Sequence, residues 1–168
     1  MKNKYILISI PALLLLVWLG WYFSDKQVIK RQLTELTWNI SKEGKETTIE
    51  TGLKLREVKQ MLATDVRAII SERNYNKSLA GDMIIRYLMY YRDRYETLTV
   101  RFTDLQVELP AKGEATVTAT ALVQRKKPQN EQEQLNEPIE LLLNKAKEKT
   151  GGREWRLIQA SVPATLVE

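Results

Sequence analysis

YILISIPALLLLVWLGWYF, running from Tyr5 to Phe23, is a stretch of 19 residues without one charged side chain. An α-helix needs about 20 predominantly apolar residues to cross the hydrocarbon core of a bilayer, and a helix buried in a soluble domain would show a polar stripe that this run lacks. A cleaved signal peptide is the competing reading, because Lys2 and Lys4 form a short basic region ahead of the run. Signal cleavage requires small residues, however, and the run closes on Trp18, Leu19, Gly20, Trp21, Tyr22 and Phe23. Aromatic side chains of that kind suit the membrane–water interface. Pro11 is tolerable in a spanning helix, where local adjustment satisfies the freed backbone group. Residues 1–23 are therefore expected to be a tail and a retained single-pass anchor bearing Tyr5, Pro11, Trp18, Trp21, Tyr22 and Phe23, and residues 24–168 one domain.

Orientation is less constrained. Lys2 and Lys4 stand on one flank and Lys26, Lys30 and Arg31 on the other, so the positive-inside count is nearly balanced. A two-lysine tail before an N-terminal apolar run behaves as a signal anchor, which predicts a bacterial-type inner-membrane protein with its domain in the periplasm. Display of the domain in the cytosol is the alternative. Lys26, Lys30 and Arg31 are too few to signal headgroup binding by themselves.

The chain contains neither Cys nor His, which removes disulfides, cysteine nucleophiles, imidazole bases and the usual zinc sites. A metal would need oxygen ligands alone, and no Asp-rich calcium loop is present; no cofactor is expected. The 26 Lys and Arg are interspersed with 21 Asp and Glu, a pattern unlike the concentrated basic face of a nucleic-acid reader. Two Asn-x-Ser matches, Asn39 to Ser41 and Asn76 to Ser78, matter only in a eukaryotic secretory pathway and are read as chance.

Beyond Ser24 the apolar spacing turns helical. Ile29, Leu33, Leu36 and Ile40 share a face between Asp25 and Glu43, with Gly44 placed to end the helix; Leu55, Val58 and Leu62 share a face of a second helix from Thr51 to Ala63. Asp65 to Ser71 reads as a short strand and Arg73 to Lys77 as a loop. Ser78 is placed to cap a third helix from Leu79 to about Tyr95, with Met83, Ile84, Tyr87, Leu88 and Tyr91 on one face and Arg86, Arg92 and Arg94 toward water. A tyrosine row of this spacing is commonly the wet edge of a core.

From Thr97 the period becomes 2. Leu98, Val100 and Phe102 alternate in one phase and Leu105, Val107 and Leu109 in the other, which predicts a β-bulge at Thr103 and Asp104. After a turn at Pro110 to Gly113, Ala115, Val117, Ala119, Ala121 and Val123 line one face of a strand. KKPQNEQEQLNEP reads as an exposed loop, Ile139 to Lys147 as a third strand, and Arg153 to Val162 as a fourth, with Trp155, Leu157 and Gln159 opposite Ile158, Ala160 and Val162. Helices segregated to one side of a bent antiparallel sheet define an α+β domain.

This order, the bent strand after a tyrosine-rich helix and the closing GGREWRLIQASV resemble the nuclear transport factor 2-like superfamily, the cone-shaped fold of ketosteroid isomerases and polyketide cyclases. That resemblance implies about three helices packed on the sheet and a cavity lined by Asp65, Tyr87, Tyr91, Phe102, Asp104 and Trp155. Enzymes of the superfamily place a carboxylate base in the cavity with Tyr or Asp donors, and Asp65, Asp104 and Tyr87 are residues of the right types. A His-Asp pair of the cyclase kind is impossible here. Bacterial members with one membrane helix and an exported domain include a scaffold of type IV secretion systems. The expectation is a non-catalytic, membrane-anchored binding or assembly module, of the kind found in secretion or envelope complexes, with a protein partner or a second copy of itself; the alternative is a small apolar ligand or a lyase or isomerase reaction in the cone.

Overall fold

The structure, a computed structural model, describes residue 20 and residues 24–128, 131–150 and 153–166. The expected anchor, including Tyr5, Pro11, Trp18, Trp21, Tyr22 and Phe23, lies outside the described residues apart from Gly20. Among the described residues no helix is long and apolar enough to cross a membrane.

From Ser24 onward three helices lie on a six-stranded mixed sheet. Helix α1 (Asp25–Ile40) leads into α2 (Thr48–Met61), which passes directly into strand β1 (Leu62–Ile70). A 3₁₀ turn (Ser71–Arg73) joins β1 to β2 (Tyr75–Ala80), and α3 (Gly81–Asp93) follows. Strands β3 (Thr97–Ala111), β4 (Glu114–Lys126), β5 (Gln132–Thr150) and β6 (Arg153–Ser161) form a meander. The sheet order is β2-β1-β6-β5-β4-β3, with β1 parallel to β6 and the other pairs antiparallel.

The apolar faces read from the sequence converge on one core. Ile29, Leu33 and Leu36 of α1 pack with Val58 and Met61 of α2 against Ala115, Val117, Ala119 and Ala121 of β4. Small alanines at the middle of the sheet leave room for the helices to approach and bury their apolar stripes. The bulge falls where the phase change placed it: the β3–β4 register slips between Thr103 and Gln106, and Asp104 takes φ +53°. A second irregularity was not anticipated. Leu142 pairs with Gln159 but Leu143 with Leu157, so Ile158 is the extra residue. The phase reverses there, and Ala160 and Val162 join Trp155 and Leu157 against the core instead of facing away.

Several boundaries and one side-chain orientation differ from expectation. Residues 75–80 are strand, and Ser78 sits within it, paired opposite Arg67, instead of capping a helix. β2 is an edge strand whose side chains are mostly exposed, so it carries no apolar alternation to read. Strand β5 begins at Gln132, seven residues before its first buried position, Ile139. There the β4–β5 hairpin runs on past the core, held by backbone pairing from Leu122 with Asn136 to Lys126 with Gln132. Arg92, expected to face water, is 1% exposed.

Candidate functional site

Three of the side chains expected to line one cavity border three separate clefts. Phe102 borders a cleft with Trp38 and Val100. Trp155 borders a second, with Asp25, Lys112 and Lys145. Asp65 borders a third, with Arg56, Lys59 and Arg156. Asp65 and Asp104 are exposed, and Tyr87, at 59% exposure, looks outward from α3. The carboxylates and the phenol that an acid–base reading needs therefore face outward instead of into an apolar enclosure. Among the described residues no three acidic side chains gather as a metal site would require.

Buried apolar side chains of the helices and the sheet meet in the interior of the cone. Trp155, 1% exposed, accepts the core contacts of α1 and β5, and its backbone N–H donates to Gln32 Oε1 at 3.3 Å. Its indole Nε1 has no hydrogen-bond partner among the described residues, and Lys145 Nζ stands 5.6 Å from its ring centroid. Tyr91 is the one cavity candidate in a polar cluster. Its hydroxyl accepts from Arg125 Nη1 at 2.6 Å, Arg125 Nε donates to Glu133 at 2.7 Å, and the Arg125 guanidinium lies over Tyr95. Burial pushes the Tyr91 hydroxyl pKa up, opposed by the bond from Arg125. The Arg125 hydrogen bond holds the Glu133 carboxyl below the usual range. Such a cluster locks α3 to the β4–β5 hairpin.

A second cluster was invisible to periodicity. Arg92 pairs with Glu46, which also binds Lys54 at 2.7 Å, and Arg92 Nη1 donates to the Asn39 carbonyl at 2.6 Å. Lys42 Nζ donates to the Tyr95 carbonyl at 2.9 Å and Lys54 Nζ to the Ser41 carbonyl at 3.2 Å. The ends of α1 and α3, the start of α2 and the segment between α1 and α2 are thus tied together through charge.

What remains unpartnered is an apolar surface on the helices. Ile49 and Leu53 lie one turn apart on α2, opposite the buried Leu55 and Val58, while Met83, Tyr87 and Tyr90 follow an i, i+4, i+7 row on α3. Lys59 of α2 pairs with Asp82 of α3 at 2.6 Å at one end and Glu46 with Arg92 at the other, so the two helices run antiparallel, side by side. Of the eight large apolar side chains exposed among the described residues, only Leu109 is on the sheet. The spacing of Ile49 and Leu53 was legible as a second stripe of α2; Tyr87 was read instead as part of a core edge.

No protein-family model matches this chain and no curated protein matches its sequence. Solved structures do match in three dimensions. They include a candidate scytalone dehydratase from Novosphingobium aromaticivorans (10% identity, TM-score 0.63, covering 81% of this chain and 80% of that one). The association domain of Caenorhabditis elegans CaMKII is similar at 14% identity and TM-score 0.61, over 86% of this chain and 99% of that one. ActVI-ORFA from Streptomyces coelicolor is similar at 12% identity and TM-score 0.59, over 80% and 92%. The fold is that of the nuclear transport factor 2-like, or cystatin-like, α+β cone. At these identities the likeness carries the fold and no activity.

Proposed function

We propose that this chain is a non-catalytic binding and assembly module held at a membrane by residues 5–23, presenting the outer face of α2 and α3 to a protein partner or a second copy. The observation that carries this reading is the exposure of Ile49 and Leu53 on α2 and of Met83, Tyr87 and Tyr90 on α3, while Leu55 and Val58 of α2 are buried and Ile84, Ile85 and Leu88 of α3 are half-buried against the core. Exposed apolar patches of this kind on a polar domain mark interaction sites. Tyr and Met are favoured at such surfaces because they supply large contact area with adaptable packing. Tethering confines the module to two dimensions and raises its effective concentration for a partner in the same membrane. The two-lysine tail ahead of the run supports a bacterial-type inner membrane with the domain in the periplasm.

The alternative, a small ligand or a lyase or isomerase reaction in the cone, draws support from the dehydratase among the similar structures. Against it stand the burial of Trp155 in the core and the outward positions of Asp65, Asp104 and Tyr87. Site-specific photocrosslinking in native membranes tests the choice. A photoreactive residue at Tyr87 or Leu53 is expected to give discrete adducts, and one at Thr118 on the outer face of the sheet none. Only uncrosslinked monomer from the helix positions would sink the assembly reading.

A further inference from the structure

The contacts fix which end of the domain meets the tether. Asp25, at the start of α1, pairs with Lys145 at 2.7 Å. Lys145 donates its backbone N–H to the Gly113 carbonyl at 2.8 Å and lies opposite Trp155, so the β3–β4 turn and the start of β6 belong to the same end. Leu62, directly after α2, lies beside Leu157, and Lys59 pairs with Asp82, which adds the end of α2 and the start of α3. Four cations around this end, Lys26, Lys30, Arg56 and Lys112, form no ion pair among the described residues. Arg56 also borders, with Lys59 and Arg156 and the carboxylates of Asp65 and Asp82, a groove of about 540 Å³. Met83 and Leu109 are exposed at the same end.

Only Ser24 separates Phe23 from Asp25. Two residue steps reach roughly 7 Å when fully extended, less than the Debye length of about 8 Å at physiological ionic strength. A bilayer spanned by residues 5–23 would therefore lie within unscreened range of the start of α1, at the end of the domain that carries these cations. We propose that this end of the domain docks on the bilayer and takes anionic phospholipid headgroups, with Lys26, Lys30, Arg56 and Lys112 supplying the charge. The inference rests on the tether reading above. It sets the orientation of the module: the β1–β2 turn points away from the membrane, and the apolar face of α2 and α3 stands to the side, reachable by a partner in the same membrane.

Absence of cysteine makes the test direct. Full-length protein is labelled at a single Ala111→Cys, or at Ser71→Cys as a distal control, and reconstituted into phosphatidylcholine vesicles with or without phosphatidylglycerol. Quenching by a headgroup-attached nitroxide is then read at each label, with co-flotation of the protein as a parallel readout. The expected result is stronger quenching at position 111 with phosphatidylglycerol, lost in high salt and lost in the combined K26Q, K30Q, R56Q and K112Q variant, with no change at position 71. Co-flotation with equal quenching in both lipids would overturn the headgroup inference while leaving the tether intact. Failure to co-float with either vesicle would overturn the tether, and the inference with it.

Discussion

A single buried arginine explains much of how the helices of this domain are held. Arg92 is 1% exposed, and an isolated charge at that depth would be prohibitive. Glu46 neutralises it and is itself satisfied by Lys54 and Thr51. Burial works to raise the Glu46 carboxyl pKa, but the Lys54 hydrogen bond and the charges of Arg92 and Lys54 outweigh it and hold the carboxyl below its ordinary range. A depressed carboxylate stabilises the fold fully above its unfolded value of about 4.3, and that stabilisation is lost as pH falls through the lower folded value. Glu46→Gln leaves Arg92 buried without a counter-ion and is expected to cost about 3–5 kcal/mol in urea denaturation at neutral pH. The variant should also lose part of the acid dependence of stability that the parent shows below that unfolded value. Identical acid slopes in the two proteins would contradict this account. No sequence pattern announces the pair, because Glu46 and Arg92 are 46 residues apart and meet only once the helices have packed.

At the scale of elements, the readable ones were those with a buried face. The α1 face, the β4 alternation and the β3 bulge all follow from apolar spacing, since a one-residue slip in any of them would turn the core residues to water. Elements without a buried apolar face left no such trace: β2 and the first half of β5 are polar and mostly exposed. The start of α2 was legible by a different signal. Thr47 accepts from the Glu50 backbone N–H at 3.2 Å, and Glu50 Oε2 accepts the Thr47 N–H at 2.8 Å, a reciprocal cap spelled Thr-x-x-Glu. Reading that motif places the helix start at Thr48, where it is found, instead of Thr51. Thr47→Ala removes the cap and is expected to cost about 1 kcal/mol, seen as a lowered denaturation midpoint with an unchanged slope. A change in the slope instead would mean that the start of α2 has a larger part in the fold than a cap allows.

For the whole molecule, the question is whether the cone is a container or a core. The fold was legible because its helices and strands alternate in a diagnostic order, whereas the candidate cavity was not: Asp65, Tyr87 and Asp104 lie on the correct elements but face outward, and element order cannot show which way a side chain turns. Trp155 decides between the two uses. It is 1% exposed and belongs to the buried core with residues of α1, β4 and β5. If the cone is a packed core, Trp155→Ala opens a cavity that the rigid sheet cannot collapse, and a loss of about 3–5 kcal/mol is expected, with Trp155→Phe recovering part of it. If the cone were a binding chamber, a lining residue could be truncated at far smaller cost, and apolar ligands would raise the denaturation midpoint of the parent by mass action. Chemical denaturation of the parent and both variants, repeated with an apolar aromatic ligand such as indole, separates the two. Indole should protect the Trp155→Ala variant, by refilling the hole, and leave the parent unmoved; protection of the parent would return the cone to the role of a ligand site.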